Sequence, residues 1–187
     1  MKRYFPYLFL VLCCFGCTGS TIEETKVAIQ PIGTVSEYQV QAVSMAIEDV
    51  YGLKTEVLEP IPFPKHTEVN IKSPRHRADK LIAFLKKEKA DSMDYILGLT
   101  MGDISTTKKN VKDSSHKYFD WGVFGLGYRP GVSSIVSSYR LGKDIPAAVI
   151  VMRLSKVAVH ELGHNLGLKH CKSDEECVMK DAVERIQ

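Results

Sequence analysis

The sequence predicts an α/β fold in which a mixed, mostly parallel sheet with an antiparallel edge strand packs against three helices. Two observations carry this prediction: strand-like and helix-like runs alternate up to residue 100, and a turn-linked pair of strands follows. A β-α-β-α-β order gives parallel strands joined by right-handed crossovers. The 187 residues, 44% of them hydrophobic, suit one compact domain, which we expect to be monomeric. The net charge of +3 is too small to indicate a nucleic-acid partner.

The first strand, helix and second strand follow from local signals. The run KVAIQPI (26–32) is rich in β-branched residues and predicts the first strand. Thr34 and Glu37 have the spacing of a capping box, which predicts a helix that runs to Gly52. The segment TEVLEPIP (55–62) predicts a second strand with an irregular end, because prolines interrupt it.

The next helix and strand are predicted in the same way. Ser73-Pro74 predicts the start of a second helix. Apolar residues recur on one face of that helix: Ala78, Leu81, Ile82 and Leu85. The run DYILGLT (94–100) is apolar enough for a central strand, and the polar stretch 105–120 is interpreted as a loop.

A hairpin and a long helix complete the domain. The segments FGLGY (124–128) and SSIVSSYRL (133–141) are joined by Arg129-Pro130-Gly131, a strong turn signal. This pattern predicts a hairpin at the edge of the sheet. Pro146 then opens a long helix that carries a histidine-rich stretch.

The N-terminus has the pattern of an export signal over residues 1–17. A basic MKR precedes the apolar run YFPYLFLVLCCFG, and the segment resembles a bacterial lipoprotein signal in which Cys17 receives the lipid. An ordinary cleaved signal or an uncleaved anchor are the alternatives. Residues 18–25 are small and polar, as a tether would be, and residues 26–187 form the domain. We therefore expect an exported protein, lipid-anchored to a bacterial membrane and facing the periplasm or the exterior.

Three of the six histidines lie in HELGHNLGLKH (160–170). His160 and His164 are four residues apart, so both rings project from one side of a helix. Gly167 can adopt a positive φ and turn the chain sharply, which brings His170 back beside the first two. Three imidazoles that meet at one point suit a catalytic Zn²⁺ ion, whose fourth position is left to water.

Glu161 is the candidate general base. It follows His160 directly, so it can overhang the bound water without binding the metal, accept its proton and deliver that proton to the departing amine. The implied reaction is hydrolysis of an amide by metal-activated water. The remaining histidines stand alone among polar residues and are interpreted as surface residues: His66, His76 and His116.

The motif HELGHNLGLKH resembles the extended zinc motif of the metzincin metallopeptidases. Within that group the chain is similar to the archaemetzincins, in which two cysteines and a methionine follow the third histidine. The matching residues here are Cys171, Cys177, Val178 and Met179. The resemblance implies the twisted mixed sheet and active-site helix of metzincins, a substrate cleft beside an antiparallel edge strand, and Met179 as the Met-turn beneath the metal.

The cysteines depart from the archaemetzincin pattern. The later CxxC pair, which completes a second, structural zinc site in that family, has no counterpart here, so one zinc ion is expected. Cys13 and Cys14 leave with the signal, and outside the cytoplasm Cys171 and Cys177 can form a disulfide in place of the second metal. Two free thiols are the alternative.

The predicted function is that of a membrane-tethered zinc metallopeptidase, with endopeptidase and aminopeptidase action both open. A catalytically weak metal- or peptide-binding lipoprotein that keeps the fold is the alternative. An extended peptide substrate can add to the edge strand through main-chain bonds. The residues expected there are Phe124, Gly125, Leu126, Gly127 and Tyr128. Plain packing of Phe124 and Tyr128 is the competing interpretation.

Overall fold

Two sheets and the helices around them make up the part of the chain that the structure describes. The structure is a computed structural model that describes residues 24–108, 116–172 and 176–180. The predicted signal peptide with Cys17, and residues 18–23 of the predicted tether, lie outside these ranges. Among the described residues, no helix combines the length and the apolar content needed to cross a bilayer.

The described strands, in chain order, are β1 (Lys26–Ile32), β2 (Lys54–Val57), β3 (Glu68–Asn70), β4 (Pro74–Arg77), β5 (Tyr95–Thr100), β6 (Ile104–Thr106), β7 (Trp121–Gly122), β8 (Gly125–Gly127) and β9 (Ser133–Ser137). The helices are α1 (Glu37–Tyr51), α2 (Ala78–Glu88), the short α3 (His116–Phe119) and α4 (Ala147–Asn165). A single 3₁₀ turn, Lys65–Thr67, precedes β3.

The main sheet has the predicted mixed architecture. Its strand order is β2-β1-β5-β9-β8, in which the first four strands are mutually parallel and β8 is antiparallel to β9 at the edge. Register aligns the strand starts, since Val27 lies opposite Tyr95 and Ile96 lies opposite Ser133. The amino ends of the parallel strands therefore share one edge of the sheet, and their carboxyl ends share the other.

The core lies on both faces of this sheet. Alternate residues of a strand point to opposite faces, so Val27 and Ile29 pack beneath α1 and α4 while Ala28 and Ile32 pack beneath α2. The predicted apolar face of α2 is confirmed, because its four residues are buried: Ala78, Leu81, Ile82 and Leu85. The three predicted long helices thus cover the sheet from two sides.

Two predicted helix starts are wrong. Helix α1 begins at Glu37 after an extended Ser36, whose side chain makes no capping bond, so Thr34 and Glu37 do not form a capping box. The predicted end is confirmed, because Gly52 has φ 65° and donates its N–H to Glu48 O at 2.8 Å. The second helix begins at Ala78, because the preceding residues Pro74–Arg77 form a strand instead.

That strand belongs to a second sheet that local patterns did not predict. Its order is β3-β4-β6-β7, and β4 pairs antiparallel with β3 and parallel with β6. The predicted loop 105–120 is therefore partly wrong, because Ile104–Thr106 and His116–Phe119 are ordered elements. Residues 109–115 lie outside the described ranges. The predicted second strand is shorter than expected and continues only as a bridge between Ile32 and Ile61.

One histidine interpreted as a surface residue is not exposed. His76 is half-buried and stacks on Phe63, with ring centroids 3.7 Å apart, and burial lowers its pKa. His66 is exposed as expected, and nothing is described for the side chain of His116. A polar sequence neighbourhood misleads at His76 because the strand places it against a distant aromatic ring.

Candidate metal centre and active site

Helix α4 positions the histidines by burying its opposite side. It begins after Pro146, as predicted, and runs for 19 residues. Leu154, Ala158 and Leu162 are fully buried against the main sheet, while His160 and His164 remain half-buried on another side of the helix. The 3.6-residue period of the apolar stripe therefore fixes which way the two rings point.

The chain turns sharply after α4, and the turn is built on Gly167. Gly167 has φ 94°, donates its N–H to His164 O at 2.9 Å, and is followed by Leu168, whose N–H reaches Gly163 O at 2.9 Å. These two bonds form a Schellman motif, which needs a left-handed residue at this position. The predicted role of Gly167 in reversing the chain is confirmed.

The turn brings His170 to His160 and His164. The ligand atoms of the three rings all lie within 4.8 Å of one another, and His164 Nε2 is 3.0 Å from His170 Nε2. Zinc–nitrogen bonds of about 2.0–2.1 Å in a tetrahedron place ligand nitrogens about 3.3 Å apart. The geometry and the imidazole donors therefore fit a zinc ion.

Main-chain carbonyls select the tautomer of two of these rings. His160 Nδ1 lies 2.8 Å from Val178 O, and His164 Nδ1 lies 3.0 Å from Leu168 O. A carbonyl only accepts, so each Nδ1 carries the proton and leaves the Nε2 lone pair for a metal. Sequence reasoning missed these two carbonyls, because a main-chain acceptor leaves no trace in residue identity.

Glu161 lies on the same helix with its carboxylate turned toward β8. Its side chain is buried, and burial raises the pKa of the carboxyl to about 8, although a hydrogen bond from Gly127 N–H lowers it. A buried carboxyl loses the hydration of its charged form, which explains the direction. The residue next to His160 therefore carries a carboxyl that is shielded from water and held by the edge strand.

The two glycines of β8 permit this close approach. A Cβ at Gly125 would lie 2.7 Å from Glu161 Cγ, and a Cβ at Gly127 would lie 2.5 Å from the main-chain oxygen of Glu161. No other residue type fits at these positions without moving the strand. The sequence indicated an edge strand here, but not that the glycines face the helix.

The other edge-strand residues divide between core and surface. Phe124 and Leu126 are partly buried and pack against the hydrophobic core on the two faces of the sheet. Tyr128 is 47% exposed. Substrate contact at residues 124–128 stays a prediction.

Met179 and Tyr51 pack against α4 at Gly163, the residue before His164. Met179 is buried, and its sulphur is 2.5 Å from where a Cβ of Gly163 would stand, so a larger residue at Gly163 would displace the Met179 side chain. Tyr51 Oη approaches the same point and donates to Val159 O at 2.8 Å. Through this hydrogen bond Tyr51, the last residue of α1, supports the helix that carries His160 and His164.

The cysteines flank the return of the chain. Cys171 N–H donates to Met179 O at 2.8 Å, which ties residues 176–180 to the segment after His170. The side chains of Cys171 and Cys177 are half-buried, and their sulphur atoms are not bonded to each other in the structure. The predicted disulfide stays a prediction.

Comparisons with known proteins identify the family of the chain. Peptidase family M54 matches residues 32–185. The archaemetzincin of Haloquadratum walsbyi is 30% identical over 161 residues, which cover 82% of this chain and 84% of that protein. Archaemetzincin-2 of Mus musculus is 29% identical over 159 residues, which cover 65% of this chain and 41% of that protein.

Solved structures show the same architecture. The crystal structure of archaemetzincin from Methanopyrus kandleri has a TM-score of 0.67 and 25% identity, and the match covers 87% of this chain and 84% of that one. Archaemetzincin from Archaeoglobus fulgidus, complexed with malonate, has a TM-score of 0.63 and 25% identity over 83% of this chain and 85% of that one. The chain therefore belongs to peptidase family M54, as an archaemetzincin-like zinc metallopeptidase.

Proposed function

We propose that this chain hydrolyses peptide bonds with one zinc ion bound by His160, His164 and His170. The convergence of the three rings carries the proposal, because two of them have their Nδ1 protons held by main-chain oxygens and so offer Nε2 to a metal. Within the described residues, these rings form the one group of three or more His, Cys, Asp or Glu side chains close enough to share a metal. That supports a single ion.

Glu161 acts as the general base. A zinc ion on the three histidines would polarise the scissile carbonyl and make a water more acidic. Glu161 is next to His160 and shielded from bulk water, so it can take the proton of the attacking water and pass it to the amine that leaves. The raised pKa belongs to the metal-free site, and a zinc ion on the histidines would favour the charged carboxylate that accepts the proton.

The substrate main chain pairs with the outer edge of β8. Ser137 N–H donates to Phe124 O at 2.8 Å, and alternate residues of an antiparallel strand direct their main-chain groups to its partner. The N–H and C=O of Gly125 therefore face away from β9, toward the cleft. An extended peptide can add there as a further strand. Phe124 and Leu126 pack inward, so this contact is with main chain rather than with their side chains.

The experiment compares wild type with Glu161→Gln and a matched control, Glu88→Gln, at an exposed position on α2. All three are assayed for bound zinc and for cleavage of a mixed peptide library, with free and acetylated N-termini to separate aminopeptidase from endopeptidase action. We expect equal zinc in all three, and a loss of kcat/KM of about 100-fold or more in Glu161→Gln alone.

Two results contradict the proposal. Full activity in Glu161→Gln would show that Glu161 is not the general base. Zinc-loaded wild type that cleaves no peptide supports the alternative, a metal- or peptide-binding lipoprotein with little turnover.

We also propose that Cys17 is lipidated and that the chain is exported and tethered to a bacterial membrane. The signal pattern of residues 1–17 supports this, and the eight residues 18–25 span at most about 28 Å. The tether joins β1 at the amino edge of the sheet, and the histidine end of α4 lies at that same edge, because the Asn165 side chain donates to Ser133 O. The active site would then lie close to the membrane surface. Fatty-acid labelling of wild type, but not of Cys17→Ser, is the expected result, and labelling of both contradicts it.

A further inference from the structure

A polar cavity of about 380 Å³ lies at the carboxyl edge of the main sheet, opposite the edge that carries the histidines. Its lining includes residues that follow β5 and β9 and residues from the start of β4: Ser73, Arg75, Asp103, Tyr139, Arg140 and Lys143. In open α/β sheets, ligands bind outside the carboxyl ends of the strands. The peptidase reaction proposed above uses none of these residues.

A buried carboxylate fixes the two arginines of the cavity. Asp103 is 8% exposed and accepts from Arg140 Nε and Nη2, both at 2.6 Å, and from Arg75 Nε at 2.8 Å. Arg75 Nη1 also donates to Asp120 Oδ2 and to Asp120 O, both at 3.1 Å. Both guanidinium groups are therefore held in place before any ligand arrives, which reduces the entropy lost on binding.

These hydrogen bonds leave some N–H donors of the two arginines unused. A guanidinium carries five N–H groups, and the contacts above use Nε and Nη2 of Arg140, and Nε and Nη1 of Arg75. Arg140 Nη1 and Arg75 Nη2 have no partner among the described residues. Lys143 is exposed at the same cavity, and Ser73 and Tyr139 also line it. Binding the carboxylates accounts for the position of the arginines but not for the additional donors around the cavity.

The charge of the cavity selects the sign of a ligand. Arg75, Arg140 and Lys143 outnumber Asp103 on the lining, and one positive charge remains even when Asp120 behind Arg75 is counted. Both oxygens of Asp103 already accept from guanidinium groups, so a cation would meet positive charge with no carboxylate left to bind it. An oxyanion would instead meet charged N–H donors from two guanidinium groups and from the Lys143 ammonium.

We propose that this cavity is a binding site for a small oxyanion, a phosphate or a carboxylate group, held by Arg75, Arg140 and Lys143. The site is separate from the zinc ligands and does not require the proposed peptidase mechanism. A free ion and the anionic end of a larger molecule share this chemistry, and inorganic phosphate and acetate serve as the two probes.

The experiment titrates the full chain, zinc-loaded, with phosphate at constant ionic strength and follows the heat of binding. Lys143→Gln is the first test variant, because Lys143 is exposed and its loss leaves the Asp103 cluster intact. Lys87→Gln, at an exposed position on α2, is the matched control for the loss of one positive charge. Arg140→Lys is the second test variant, because it keeps a positive charge beside Asp103 while it removes the spare N–H groups of Arg140 Nη1. Lys143→Gln and Lys87→Gln both retain the three histidines, so any phosphate that binds at zinc contributes equally to the heat measured for these two variants.

We expect saturable binding in wild type and in Lys87→Gln, and an affinity weaker by about fivefold or more in Lys143→Gln and in Arg140→Lys. Tighter binding of phosphate than of acetate would assign the site to phosphate groups, and the reverse order would assign it to carboxylates. The proposal is overturned if neither probe gives saturable binding in wild type, or if Lys143→Gln binds phosphate as Lys87→Gln does.

Discussion

Replacing Glu161 by glutamine should stabilise the metal-free protein at alkaline pH, because the folded structure disfavours the charged carboxyl. Burial raises the pKa of Glu161 from its ordinary value of 4.5 to about 8. A gap of about 3.5 between the folded and unfolded pKa values corresponds to about 5 kcal/mol, at about 1.4 kcal/mol for each pKa unit. Glutamine keeps the shape of the side chain and the acceptor for Gly127 N–H, but it carries no charge.

The sign depends on which state binds the proton. Below pH 4.5 the carboxyl is protonated in both states and contributes no penalty. Between pH 4.5 and pH 8 the unfolded chain releases the proton and the folded chain keeps it, so stability falls as pH rises. Above pH 8 the penalty stays at its full size. The free energy of unfolding of Glu161→Gln should therefore equal that of wild type near pH 4 and exceed it by several kcal/mol near pH 8.

The assay is urea unfolding of both proteins in the presence of a metal chelator, at a series of pH values from 4 to 8.5. Comparing the two proteins cancels the titration of the histidines, which both retain. Adding zinc should weaken the dependence of this stability difference on pH, because a nearby cation favours the carboxylate. A stability difference between the two proteins that does not change with pH would refute the reasoning.

Three further predictions concern the residues that support the site. Gly127→Ala puts a Cβ 2.5 Å from a main-chain oxygen of α4, so we expect a loss of about 1–3 kcal/mol of stability, and an unchanged thermal midpoint would contradict the close packing. Tyr51→Phe removes the hydrogen bond to Val159 O and should lower the free energy of unfolding by about 1 kcal/mol. Equal urea midpoints for wild type and Tyr51→Phe would contradict this. Protein isolated from an oxidising compartment should resist alkylation at Cys171 and Cys177 until it is reduced, whereas immediate alkylation of both shows that no bridge forms.

Signals within a few residues of one another predicted much of the fold and the convergence of His160, His164 and His170. The β-branched run of β1 and the apolar period of α4 are local, and they fix which faces are buried. Gly167 is also local, since one glycine after a helix is enough to predict the turn that returns His170. Elements whose stability comes from near neighbours in sequence can be predicted from the sequence alone.

The failures have a common physical cause, which is pairing with distant residues. Pro74–Arg77 looks like a helix start, but it is a strand because it pairs with β3 and β6 and because Arg75 bonds Asp103 and Asp120. The burial of Glu161 depends on two glycines more than thirty residues earlier in the chain. The carbonyls that orient the histidines are main-chain atoms, which no residue pattern specifies.

The proposed zinc site is tested by the zinc content of the purified full chain after dialysis. Elemental analysis gives this content for wild type, His164→Ala and His66→Ala. His66 is an exposed histidine outside the site and serves as the matched control. We expect one zinc per chain in wild type and in His66→Ala, and a large loss in His164→Ala, because only two of the three converging imidazoles remain. Wild type that binds no zinc, or His164→Ala that holds zinc as wild type does, would contradict it.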